Sequence, residues 1–416
     1  MTGEVNIQLQ LDKSQAVPPR PKPDAFLRQA VAEVCEEEFG TSLRAAVLTG
    51  SLARGEATFR RQDHCWRALS DADLIFIFHN QADLPPATKV QQVCRKIEDA
   101  LKRHSFVCQV KSGAGHADYL RKMRADIFSF ELRTCGCVVW GEPEILSLIP
   151  AFHWGDIPLE DAWRLLCNRI VEQLEVARGS GSRQFSVSIE LQYPTIKLYL
   201  DMATSLLLFL SKYACTYRVR EQLLSDLAKN VPYDADLPFA LQDFARCVAW
   251  CTDWKLGTSW PTEEQWRQLQ KSAVVHAHLL WRWELTRLTG GCAHQSDDEL
   301  LTRWRRQQPL ERRLRGWLHV MRKQGRHGCW RYWRRWASQA WKGSPRQWLY
   351  GAASKVWFRL PSLSEFPQVL DQEIECESIR RMLPVLTRSA HEASDWQQLA
   401  AEILWNYHEF VEDTRA

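Results

Sequence analysis

The chain reads as an α/β domain followed by a large all-α region, and three observations lead to that fold class. Short apolar runs at 43–48 and 71–78 have the length of buried strands, and they alternate with helix-period segments at 24–39 and 87–104. From Ile157 onward the apolar spacing becomes helical and stays so. With 416 residues and 45% hydrophobic composition there is material for two or three cores.

Each element follows from its own spacing. Residues 1–23 are polar, with clustered prolines, and read as a loose N-terminal arm. Phe26, Leu27, Ala30, Val31, Val34 and Cys35 then recur at helical intervals, with Asp24 placed to cap the helix and Gly40 to stop it. A first strand is expected at 43–48 and a second at 71–78. Val90, Val93, Cys94, Ile97 and Leu101 define the buried side of a helix at 87–104, and the chain should return as a short strand at 106–110. A third strand is expected at 126–132, and an apolar segment with a turn at 138–143 closes the domain. Helices are expected at 159–178 and 193–213, separated by a linker beginning Gly179-Ser180-Gly181-Ser182. The resulting partition is an arm (1–23), an α/β domain (24–150), a helical domain (151–300) and a basic, Trp-rich helical region with an acidic tail (301–416).

Composition narrows the function classes. No run of about 18 apolar residues and no secretory leader pattern is present, so the expectation is a cytoplasmic protein without a membrane span. The 13 cysteines are odd in number and scattered in apolar contexts, which suits reduced thiols rather than a disulfide framework. The net charge of +4 conceals an asymmetry: sixteen Lys or Arg and one acid, Glu311, lie between Arg303 and Arg359, while the following tail is acidic.

The chemistry concentrates between Leu48 and Phe78. Thr49-Gly50-Ser51 ends the first strand, and Ser70-Asp71-Ala72-Asp73 opens the second. Alternation along a strand puts Asp71 and Asp73 on one face, where they can share a hard cation such as Mg²⁺. Gly50 lets backbone approach a phosphate closely, and the Ser51 hydroxyl can donate to its oxygens.

This Gly-Ser followed by Asp-x-Asp in an apolar strand resembles the signature of the polymerase-beta-like nucleotidyltransferase superfamily, over roughly residues 26–150. The whole chain resembles bacterial nucleotidyltransferase-domain proteins with a helical C-terminal region. The loop between Ser51 and Asp71 is longer than in the compact members. The resemblance implies a mixed sheet flanked by helices and one or two Mg²⁺ ions on Asp71, Asp73 and a third carboxylate. That third carboxylate is Asp126 or Glu131, which occupy opposite faces of the expected strand, and Asp126 is favoured. It further implies a basic residue for the nucleotide phosphates on a following helix. Lys197 matches that element, and an ion pair with Asp201 is the plainer reading. The aromatic and basic cluster at 213–220 is a further candidate for the same cleft.

Fourteen of the twenty Trp lie between Trp250 and Trp357, interleaved with the basic run. They suit an anionic polymer such as single-stranded nucleic acid, a helix-bundle wall with Arg snorkelling outward, or a membrane surface. Arg322 and His327 have the Arg-x4-His spacing of all-helical ribonuclease-like domains often paired with nucleotidyltransferases, although Gly325 between them disfavours a regular helix. The function expected is Mg²⁺-dependent transfer of a nucleoside monophosphate from a nucleoside triphosphate to a small-molecule, protein or RNA hydroxyl. The alternatives are a non-catalytic protein of that fold that binds RNA or a protein partner, and a toxin or antitoxin component.

Overall fold

Two strands make the centre of the first unit. β1 (Leu43–Thr49) and β4 (Ala72–Phe78) pair antiparallel, with Val47 opposite Ile75 and Thr49 opposite Asp73. β7 (Cys137–Gly141) borders β1 antiparallel and β6 (Val110–His116) borders β4 parallel, giving a mixed sheet of order β6-β4-β1-β7. The structure is a computed structural model that describes residues 23–62, 64–180, 189–230, 236–257, 260–360, 376–386 and 395–411. The expected arm therefore lies almost wholly outside the described residues.

Period-two alternation decides which face each β4 residue serves. Ala72, Leu74, Phe76 and Phe78 are buried with Val31 of α1 (Pro23–Phe39) and Val93 and Ile97 of α3 (Ala87–Arg103). Ile77 joins Ala45 and Val47 in a second core on the other face, with Leu120 of α4 (Ala117–Arg121) and Leu132 of α5 (Ile127–Cys135). The apolar positions expected to face inward on the 87–104 helix are all buried.

Two stretches depart from expectation. The long segment before Asp71 contains strands β2 (Phe59–Gln62) and β3 (Cys65–Ala68), which form a second sheet with β5 (Phe106–Val107) in the order β2-β3-β5. The single strand expected at 106–110 is thus divided, β5 going to one sheet and the start of β6 to the other. The strand expected at 126–132 is a correction: the segment is the helix α5. Its run Ile127-Phe128-Ser129-Phe130 reads equally well as strand, and the choice is made by the cap. Asp126 accepts a hydrogen bond from Ser129 N at 2.6 Å, which begins a helix.

The remaining elements are helical: the single turn α2 (Gly50–Ala53), then α6 (Leu159–Ser180), α7 (Ile189–Phe209), α8 (Tyr217–Asn230), α9 (Leu241–Leu256), α10 (Glu263–Thr289), α11 (Asp297–Gln307), α12 (Leu310–Lys342), α13 (Pro345–Trp357), α14 (Cys376–Arg380) and α15 (Asp395–Phe410), with short 3₁₀ turns between some of them. The first unit comprises Met1–Asp161, Leu210–Asp226 and Ala249–Trp260, so two stretches of the helical half belong with the sheets. The second comprises Ala162–Phe209, Leu227–Val248 and Pro261–Ala416. Its core is aromatic, with Trp163 within 4.4 Å of Trp304 and 5.9 Å of Trp281, centroid to centroid. Among the described residues no helix is long and apolar enough to cross a membrane, and all thirteen cysteines are free.

Candidate functional site

The two halves of the sequence signature meet at one end of the central sheet. Gly50 follows β1 with φ +73°, a conformation that glycine adopts without strain. A Cβ placed there would lie 2.9 Å from Asp73 Oδ2. Glycine is therefore favoured by its dihedral angle, and a side chain there would push the Asp73 carboxylate aside. Ser51 follows in a tight turn, where its carbonyl accepts from Glu56 N at 2.8 Å.

Asp71, which immediately precedes β4, and Asp73 within it are both partly exposed and flank the buried Ala72. Asp73 pairs in register with Lys111 of the parallel strand β6. The Lys111 ammonium lies 2.9 Å from Asp71 Oδ2, so one carboxylate has a half-exposed counter-ion. Burial pushes the neighbouring Cys108 thiol up to about 12, and the charges of Asp71 and Asp73 add to that shift.

Neither candidate third carboxylate stands as the strand argument placed it. Asp126 caps α5, and the alternation that set it on the same face as Asp71 and Asp73 disappears with the strand. Glu131 lies within α5 and is saturated by donors. Its Oε2 accepts from Arg54 at 2.7 Å, and its Oε1 accepts from Tyr213 at 2.5 Å and from Arg220. Among the described residues, no group of three or more His, Cys, Asp or Glu is placed to share a metal ion.

Around Glu131 is a buried network that motif reasoning missed in part. Arg54 also donates to Glu56 at 3.1 Å, and Glu56 accepts from Tyr217 N at 2.6 Å. Burial opposes the charge on Arg54, but attraction to Glu131, Tyr217 and Glu56 together outweighs it and raises the pKa of the guanidinium. Burial, partly offset by Arg220, raises the Tyr213 phenol well above its ordinary value, so it serves as a donor. The cluster at 213–220 thus lies in the α/β unit, as a clasp on α5. Lys255, 1% exposed, donates to Ser70 Oγ at 2.9 Å, and Ser70 immediately precedes Asp71. The Thr58 hydroxyl donates to the Lys255 carbonyl at 3.0 Å, and Thr58 N donates to Ser70 Oγ at 3.2 Å. The chain leading into the carboxylate pair is therefore tied to a segment far away in sequence. A lone lysine in the helical pattern of 241–256 was the available signal, and it says nothing about its partner.

Lys197 belongs to the second unit. Repulsion from Arg169, and then burial, hold its pKa below the usual lysine value, and its ammonium lies 5.7 Å from the Tyr193 ring centroid. Asp201, its expected i,i+4 partner, is instead bonded by Arg169 of α6. Arg322 and His327 are exposed on either side of Gly325, where φ +63° and ψ −168° break the helix.

No protein-family model matches this chain, and a search of curated proteins returns no match.

Proposed function

We propose that the first unit is a nucleotidyltransferase of the polymerase-beta-like type, transferring a nucleoside monophosphate from a nucleoside triphosphate to an acceptor hydroxyl with release of pyrophosphate. The observation that carries the reading is the approach of Asp73 to Gly50, which sets the glycine turn after β1 beside the end of β4 where the carboxylates lie. Two carboxylates with open positions beside them suit Mg²⁺, which commonly takes one or two protein carboxylates and completes its shell with phosphate oxygens and water. Asp71 and Asp73 would hold the ion, which when bound would offset charge on the triphosphate and polarise the reacting phosphorus.

The chain's own residues supply the rest. The Ser51 hydroxyl and the adjoining backbone N–H groups donate to the terminal phosphates, holding the triphosphate so that the leaving pyrophosphate is in line with the incoming hydroxyl. Lys111, released from Asp71 when the cation arrives, can turn its ammonium to a phosphate oxygen. Lys255 and Ser70 act as positioning residues that hold the chain entering Asp71.

A second reading is favoured by the Lys111–Asp71 ion pair. An internal ammonium already neutralises one carboxylate, as a non-catalytic protein of this architecture would require.

One experiment separates the two. The purified chain is incubated with each nucleoside triphosphate and Mg²⁺, and pyrophosphate and labelled product are followed against Asp73→Asn. Transfer that falls at least about a hundredfold in the folded variant, the scale expected for losing a charge-stabilising group, supports catalysis. Equal activity of the two proteins refutes the assignment of Asp73. No turnover or triphosphate binding by the native chain, with any nucleotide, supports the second reading.

A further inference from the structure

The face that α12 turns to solvent carries large aromatic rings that a folded protein ordinarily buries. Of its Trp residues, Trp317 and Trp336 are each 3% exposed, whereas Trp330 is 83%, Trp341 75% and Trp333 55% exposed. Helical geometry explains the split. After the break at Gly325, Gly328, Tyr332, Trp336 and Gln339 form the buried face. Trp330, Trp333 and Trp341 fall opposite it, at i, i+3 and i+11, spread over roughly 16 Å of helix at about 1.5 Å per residue.

Guanidiniums share that outer face. Arg326, Trp330 and Arg334 follow one another at i, i+4 and i+8, along a single stripe. Arg334 lies 5.3 Å from the Trp333 ring centroid, and Arg331 lies 5.3 Å from that of Tyr332. Among the described residues no carboxylate pairs with Arg326, Arg331 or Arg334. Their neighbour Arg335 serves a different purpose: it turns inward and donates to the carbonyls of Arg380 and, at 2.7 Å, Leu383.

We propose that this outer face of α12 is a docking surface for single-stranded nucleic acid. Indoles spaced along one line offer stacking platforms to successive bases, and cations between them meet the phosphates that connect those bases. The same interleaving disfavours an anionic membrane. A helix lying in a lipid interface segregates its cations from its apolar face, whereas burying this stripe in acyl chains would desolvate Arg326 and Arg334. It also disfavours a second copy of the chain, because like charges would meet. The inference stands on the second unit alone and holds whether or not the first unit transfers nucleotides.

The test is fluorescence anisotropy of the full chain, without triphosphate, against a labelled 20-nucleotide uridine strand, a duplex of equal length and vesicles containing anionic phospholipid. Binding to the single strand should weaken with salt at a log–log slope of about −0.7 per phosphate contacted. Trp330→Ala and Trp341→Ala should each reduce affinity roughly five- to a hundredfold, the range of a base–aromatic stack. Arg331→Glu with Arg334→Glu should reduce both the affinity and the salt slope. These side chains are solvent-exposed, so unchanged thermal unfolding is expected and is checked by circular dichroism. Failure to bind the strand, equal binding by the Trp variants, equal affinity for the duplex, or binding to the vesicles alone would each overturn the proposal.

Discussion

Two glutamates shielded from solvent to different degrees, the half-buried Glu131 in the first unit and the buried Glu284 in the second, have opposite surroundings. Glu131 in the first unit accepts hydrogen bonds from Arg54, Tyr213 and Arg220. Glu284 in the second unit is fully buried on α10, and among the described residues no hydrogen bond of ordinary length and angle reaches either of its oxygens. Burial raises its pKa well above the ordinary carboxylate value, and the nearby Ser205 hydroxyl only partly opposes that shift. Glu131 is an anchor that holds a helix to a distant segment, whereas Glu284 is a core carboxyl whose burial favours its protonated form. The difference teaches that a buried carboxylate says little by itself, and that its donors decide what it does.

The comparison can be broken most forcefully at Glu131. Glu131→Ala leaves Arg54 and Arg220 facing each other in a buried place, and should destabilise the protein by about 3–5 kcal/mol in urea unfolding. A loss below about 1 kcal/mol would mean that water replaces the carboxylate at no great cost. Tyr213→Phe removes one donor to the same charge and should cost about 1.5–3 kcal/mol.

Glu284 makes the opposite prediction about pH. Its folded pKa lies above its unfolded value, so its contribution to stability is complete below the unfolded pKa, near 4.5, and is lost as pH rises toward the folded value. Over that window stability should fall by up to about 1.4 kcal/mol per pH unit. Glu284→Gln should abolish the slope and leave the protein more stable at pH 7. An unchanged slope in the variant would assign the pH dependence to another group.

The smallest effect is expected at Asp126. Asp126→Ala should cost about 1 kcal/mol through loss of the α5 cap, and Asp126→Asn only a few tenths. If Asp126→Asn instead removed transfer while leaving stability intact, Asp126 would return as a third carboxylate of the site.

Local pattern alone was enough for β1, β4, α1 and α3, because each buries one face against a neighbour and the spacing of apolar residues declares that face. The kink at Gly325 was legible from the glycine. At 126–132 local pattern pointed two ways, and the cap at Asp126 with α5 packed on the sheet decided for a helix.

What tertiary structure alone decided are the partners. Arg54 and Glu131 are 77 residues apart, Arg220 and Glu131 are 89 apart, and Lys255 and Ser70 are 185 apart. Periodicity reaches only a few turns along a chain, so it cannot say which distant donor will meet a given carboxylate. The same limit applies to the Trp residues of α12. The sequence determines that 332, 336 and 339 share one helix face and that 330, 333 and 341 share another, but only the packing of the second unit selects the face that is buried.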